Sequence, residues 1–257
     1  MTTVTYDGSF EGLLTAIFEV YEYKMGDVHI VNASRCQLNV FDKKHESHAD
    51  IPKAQRVLKG LGTKVSLGAL RRFYKAFLSE EKDIENLLLR YVQYAFSNQL
   101  LIEHDYSNQH VLRLSQIARK VEREKHRMEA FVRFQLTADK LYYAVCQPDF
   151  NVLPLIEKHF KNRYANQRWL IYDSNRAYGI YYNLEKVDTV QLSFNEETER
   201  GKNLALILDE KELLYQQLWQ QYFKSVNIAA RKNTRLHIQH MPRRYWKYLT
   251  EKQLAGS

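Results

Sequence analysis

The run AFVRFQLTADKLYYAVCQPDFNVLPLIEKHFKNRYANQRWLIYDSNRAYGIYYN, residues 130–183, decides how the fold is read. Val132, Phe134 and Leu136 alternate with Arg133 and Gln135, and a period of two gives a strand one apolar and one polar face. Leu141, Tyr143 and Val145 alternate with Tyr142, Ala144 and Cys146, so both faces carry apolar bulk, as in a strand covered on both sides. The first strand pair is therefore expected over Ala130–Thr137 and Leu141–Cys146, joined across Ala138-Asp139-Lys140. Pro148-Asp149-Phe150-Asn151 has turn chemistry, and Pro154 sits where a first helical turn tolerates a missing N–H. Leu155, Ile156, Phe160 and Tyr164 then recur at helical spacing. A second pair, Arg168–Tyr172 and Tyr178–Asn183, turns across Asp173–Ala177. Gly179 inside it marks a bulge or a close backbone approach.

Outward from this run the chain alternates helix signals with two short apolar strands. Val4-Thr5-Tyr6 and Val28–Val31 read as strands. Asp7-Gly8-Ser9 reads as a turn that caps a helix carrying Phe10, Leu13, Leu14, Ile17, Phe18 and Tyr21. Asp42–Asp50 is polar and loop-like. Pro52 opens a helix, Ser66 caps the next, and Ser79 caps a third with Glu80, Glu81 and Asp83 at its positive end. A fourth runs from Asn108 to Arg127 and ends in the mixed charge run Arg119–Arg127. Beyond the central run, Val190, Leu192 and Phe194 predict one further strand, 195–203 a charged loop, and Asp209 the cap of a long helix with Leu213, Leu214, Leu218, Tyr222 and Val226 inside. The expected architecture is α+β: a helical bundle around a small, mainly antiparallel sheet, built as hairpin–helix–hairpin plus one further strand. We expect a single domain over 1–257, helical at the N-terminal end over 1–127, sheet-forming over 128–195, and helical and basic over 205–252.

Composition narrows the class. With 257 residues, 45% of them apolar, the chain is long enough for a proper core. Nine Gly and four Pro leave little room for long flexible linkers. No apolar run approaches the ~18 residues of a membrane span, and Met1-Thr2-Thr3-Val4 lacks the charged and apolar regions of a signal peptide. Two cysteines, Cys36 and Cys146, make no disulfide framework, so a reducing, cytoplasmic setting is expected. The net charge is +8. Seven of the 38 Lys and Arg fall between Lys224 and Thr250, where there is no Asp or Glu, and the rest of the chain nearly balances its 30 acids. Such a patch attracts polyanions.

The candidate nucleic-acid contacts follow from that patch. Arg231, Lys232, Arg235, Arg243, Arg244 and Lys247 can neutralise phosphates, and Tyr245 and Trp246 can stack on an exposed base. The plainer alternative is a solvated tail whose rings dock on the core. His45–His48 and His237–His240 each place two histidines three apart, yet neither has the neighbours of a zinc site, so no metal or other cofactor is expected. A candidate pocket lies between the central strands and the helix after Pro154, at Asp149, Asn151, Trp169 and Asp173. As bland alternatives, the two Asp are turn residues and Trp169 is core packing. No catalytic residue can be assigned.

Three stretches carry a family likeness. They are Tyr6–Glu19 (YDGSFEGLLTAIFE), then Pro148–Ile156 (PDFNVLPLI) with Trp169–Asp173 (WLIYD), then His240–Lys247 (HMPRRYWK). Together they resemble a bacterial DNA-metabolism protein family that carries the domain of unknown function 4130. The resemblance implies a DNA context, RNA not excluded, and a partnership with a radical SAM protein of DNA modification or repair. Some relatives continue into a uracil-DNA-glycosylase-like domain, which this chain is expected to lack. The expected function is a DNA-associated accessory protein that binds through the basic C-terminal segment. Its rivals are a nucleobase- or nucleotide-directed, glycosylase-like enzyme and a pure protein-interaction module. No membrane partner is expected.

Overall fold

Thr2-Thr3-Val4-Thr5-Tyr6 is rich in β-branched side chains, which suits a strand packed on both faces. In the computed structural model it forms β1 (Thr2–Tyr6), the middle strand of a three-stranded parallel sheet. Its neighbours are β2 (Val28–Asn32), in register Thr2↔Val28, and β3 (Lys43–Glu46), in register Thr2↔Lys43. The structure describes residues 1–36, 43–98, 101–138, 140–191, 238, 241–249 and 252. They divide between two compact units, Met1–Glu122 and Arg123–Ser257.

In the first unit the Asp7-Gly8-Ser9 turn follows the sequence reading. Asp7 Oδ1 accepts from Ser9 N at 2.9 Å, and Ser9 Oγ accepts from Gly12 N at 2.9 Å, capping α1 (Phe10–Glu22). Gly8 has φ +88°, and a Cβ there would lie 2.5 Å from Asn32 Nδ2. α1 packs on α2 (Ile51–Gly62), and α3 (Leu67–Phe77) follows from its Ser66 cap. The cap of α4 (Ile84–Ser97) differs from expectation. Asp83, at φ +66°, occupies it without its side chain bonding the helix N–H groups, its Oδ1 accepting from Asn86 Nδ2 at 2.7 Å instead, while Ser79 closes the end of α3 by donating to Ala76 O at 2.6 Å. Asn86 on α4 pairs its side-chain amide with both Ile30 N and Ile30 O at 2.9 Å, which occupies an open edge of β2. Beside the sheet, Glu19 of α1 accepts from Lys53 at 3.1 Å and pairs with His45 of β3 at 2.8 Å. Burial alone would push the Glu19 carboxyl up, but the bonds from His45 and Lys53 outweigh it and hold it below the usual range.

α5 (Gln109–Phe131) runs four residues past its expected end at Arg127. The Lys125–Glu129 pair at 3.1 Å and the burial of Met128 keep the helix going, so the predicted strand Ala130–Thr137 shrinks to β4 (Gln135–Leu136). In the second unit β5 (Tyr142–Cys146) pairs antiparallel with β4 and parallel with β6 (Trp169–Asp173), with α6 (Leu153–Arg163) as the crossover between β5 and β6. β7 (Tyr178–Tyr182) and β8 (Val187–Gln191) complete the order β4-β5-β6-β7-β8, both antiparallel to their neighbours. β6 is buried along its whole length. Gly179 is a close approach, because a Cβ there would lie 2.8 Å from Ile171 O.

The expected helical bundle around one small, mainly antiparallel sheet is therefore not the architecture. Among the described residues the fold is α+β with two sheets, one of three parallel strands and one of five mixed strands. The cause is local. A helix joining adjacent strands makes them parallel, and this holds for β1-α1-β2 and for β5-α6-β6. Among the described residues no helix is long and apolar enough to cross a membrane. Leu192, Phe194, the 195–203 loop and the helix expected after Asp209 lie outside the described residues.

Candidate functional site

Residues 241–249 lie against the carboxyl ends of β5 and β6, where Tyr248 meets Gln147 and Ser174. Arg243–Tyr248 form a 3-10 turn with Tyr245 2% exposed and Leu249 fully buried. The Tyr245 ring lies 5.6 Å from that of Phe131. With those two side chains inward, Arg243, Arg244 and Lys247 are exposed. Arg243 lies 5.8 Å from the Trp246 ring, whose Nε1 donates to Met241 O at 3.0 Å. Lys247 donates to Gln147 Oε1 at 2.5 Å, and Tyr248 hydroxyl to the same oxygen at 3.2 Å. Gln147 directly follows β5, so the turn is tied to the end of that strand.

Beneath the turn sits Glu124, 1% exposed on α5. Its Oε1 accepts the Tyr245 hydroxyl and the Asp149 backbone N–H, the latter at 2.9 Å. Its Oε2 accepts from Arg244 at 3.2 Å and from Arg127 at 3.4 Å. Arg244 also reaches Asp149 Oδ2 at 2.6 Å, so one guanidinium bridges a buried and an exposed carboxylate. Burial and then the charge of Glu124 push the Asp149 carboxyl above its ordinary value, against the pull of Arg244, Arg127 and Arg176.

Asp173, the last residue of β6, is fully buried and receives Arg176 Nη1 at 2.9 Å. Burial raises its carboxyl too, with Arg176 opposing. Arg176 also donates to Pro148 O at 3.2 Å and to Asp149 O at 3.3 Å. Asn151 accepts the Tyr178 hydroxyl. Asp149, Asn151 and Asp173 thus share the loop 147–152 and its neighbours. Trp169 does not join them. It opens β6, four residues and about 13 Å of strand from Asp173. There it lies fully buried among Phe134, Phe160 and Tyr182. Cys146 is buried with its thiol raised well above the ordinary range by that burial, which suits packing rather than nucleophilic work. Arg231, Lys232, Arg235, His237 and His240 lie outside the described residues.

Sequence reasoning missed Glu124. The signal was present: Val111, Leu114, Ile117 and Val121 form the buried stripe of α5, and three residues further falls Glu124, followed by the buried Met128.

A family model described as a domain of unknown function, DUF4130, matches residues 82–251, about two thirds of the chain. The chain belongs to the DUF4130 family. Glu124, Asp149, Asp173, Arg244 and Tyr245 all fall inside the matched DUF4130 segment, whereas the Tyr6–Glu19 stretch precedes it. No curated protein matches the chain.

Proposed function

We propose that this chain is a DNA-associated accessory protein in DNA repair or modification, acting beside a radical SAM enzyme. It meets the phosphate backbone through the turn Arg243–Tyr248. The observation that supports this reading is the division of labour in that turn. Tyr245 and Leu249 are buried, and Arg243, Arg244 and Lys247 are exposed, with Arg244 held by Glu124 and Asp149. Tyr245 is thereby a core anchor, and Trp246 is the ring left half-exposed beside Arg243. The radical SAM pairing rests on the family resemblance.

The test is binding of a labelled duplex as a function of salt. Each phosphate neutralised contributes about −0.9 to the slope of log K against log salt. Arg243→Glu is expected to weaken binding and flatten that slope by about one unit. Unchanged affinity and slope would remove the turn from the interface, and no salt-dependent binding by the wild type would end the DNA reading.

A second reading is a nucleobase-directed enzyme. Asp149 favours it, being half-exposed, raised above its ordinary value and held by neighbours at the carboxyl ends of two parallel strands. Release of a base from a lesion-bearing oligonucleotide, lost in Asp149→Asn, would support it.

A further inference from the structure

The bridge made by Arg244 joins two unequal carboxylates. Glu124 is enclosed and accepts donors from Tyr245, Arg244, Arg127 and the Asp149 backbone. The Asp149 carboxylate is 48% exposed and reaches Arg244 through a single oxygen at 2.6 Å. We propose that the Asp149 carboxylate is an internal stand-in for phosphate: it is the exposed partner of Arg244 Nη2, and a phosphodiester oxygen displaces it when nucleic acid binds.

The geometry permits the exchange without unfolding the loop. Backbone contacts hold residues 148 and 149 in place. Asp149 N donates to Glu124, while Arg176 and Asn175 donate to the Pro148 carbonyl at 3.2 and 3.3 Å. Only the Asp149 side chain needs to rotate away. Arg244 Nη2 also holds Glu124 at 3.2 Å and the Tyr245 hydroxyl at 2.5 Å, so the incoming anion meets a guanidinium already fixed in place. A phosphodiester carries the same single charge as the carboxylate and can accept from the same Nη2 donor. The contact is therefore autoinhibitory, and it makes binding weaker and more selective for closely held phosphate than the exposed charge alone suggests.

This inference rests on the reading of the turn as a phosphate-facing surface, and the experiment separates the two. Duplex binding is measured against salt for the wild type and Asp149→Asn, with Asp149→Ser as a second variant should the first fold poorly. In parallel, inorganic pyrophosphate is titrated while the Arg244 Nε–Hε signal is followed by NMR, assigned by its loss in Arg244→Lys. Asp149→Asn is expected to tighten duplex binding several-fold and to steepen the salt slope by about 0.9, because the wild-type carboxylate freed on binding takes up a cation and cancels the release from one phosphate. Pyrophosphate is expected to shift the Arg244 signal at several-fold lower concentration than in the wild type. A wild type that binds DNA with affinity and slope unchanged in both variants overturns the stand-in and leaves the DNA reading intact. Gain of pyrophosphate binding with no DNA binding by any form overturns the DNA reading and keeps the anion site. No gain with either probe overturns the proposal.

Discussion

Glu124 accepts the hydroxyl proton of Tyr245 across 121 positions of sequence, and both residues are buried. This contact joins the long helix to the C-terminal turn. Arg244, Arg127 and the Asp149 backbone add their donors to the same carboxylate, so its charge is fully compensated inside the protein.

Breaking that arrangement from either side has different costs. Tyr245→Phe removes the hydrogen bond that the hydroxyl donates to Glu124 and the one it accepts from Arg244, and is expected to cost about 1.5–3 kcal/mol. Glu124→Ala removes the shared acceptor of two guanidinium groups, a phenol and the Asp149 N–H and is expected to cost about 3–5 kcal/mol. All three tryptophans belong to the unit Arg123–Ser257, so urea unfolding followed by tryptophan fluorescence reads that unit selectively. Equal effects of the two substitutions would argue against a multiply bonded Glu124.

The Asp149 carboxyl is raised by burial and by Glu124 and lowered by Arg244. Its titration midpoint, read from carboxyl carbon NMR, is expected above the ordinary Asp value of ~3.9. Glu124→Gln should bring it down, and Arg244→Gln should push it further up. Because the folded form holds its proton longer than the unfolded chain, this group favours folding as pH falls through the folded midpoint and opposes it above.

Glu19 behaves in the opposite sense. Its carboxyl lies below the ordinary value, so the folded protein releases that proton more readily than the unfolded chain. Its contribution is complete above ~4.3, the unfolded value, and is lost as pH falls toward the folded one. Glu19→Gln is expected to cost about 1–2 kcal/mol at neutral pH, and the difference from the wild type should shrink as the medium is acidified. Circular dichroism melts between neutral and acid pH check this.

Gly179→Ala places a methyl 2.8 Å from Ile171 O and 3.1 Å from Leu170 Cδ1. The carbonyl is backbone in a central strand and cannot step aside, so a loss of about 1–3 kcal/mol is expected. Slowed hydrogen exchange or an unchanged urea midpoint would contradict the close approach.

Trp169 tests the aromatic core. Its Nε1 is buried without a hydrogen-bond partner among the described residues. Trp169→Ala should cost about 3–5 kcal/mol through the cavity it leaves. Trp169→Phe loses volume but also removes that unpartnered donor, so it is expected to cost clearly less, as measured by thermal unfolding.

Much of this architecture was legible locally. The Asp7-Gly8-Ser9 turn, the Ser66 cap and the strands around Tyr142–Cys146 and Trp169–Tyr182 announce themselves through turn chemistry and period-two patterning. β3 did not. Lys43-Lys44-His45-Glu46 pairs through its backbone at a sheet edge, and an edge strand needs no apolar face; its lysines are the usual guard against further pairing. The third strand of the parallel sheet stays hidden in the sequence for that reason, whereas β1 and β2 are legible. The site was half legible. Arg244 and Tyr245 stood out within a basic, aromatic segment, but their carboxylate partner lies on a distant helix whose neighbouring residues are all charged. Only its position on the apolar stripe of α5 distinguishes Glu124 from Glu122 or Glu129.

The Glu124 contact also has a consequence for biosynthesis. A ribosome delivers Glu124 well over a hundred residues before it delivers Arg244 and Tyr245. Until they emerge, the nascent helix carries an acid on its greasy side with its chief partners still untranslated. The latter half of this protein therefore cannot close progressively as it is made, and messages cut short before codon 244 should yield a product that chaperones retain or proteases clear.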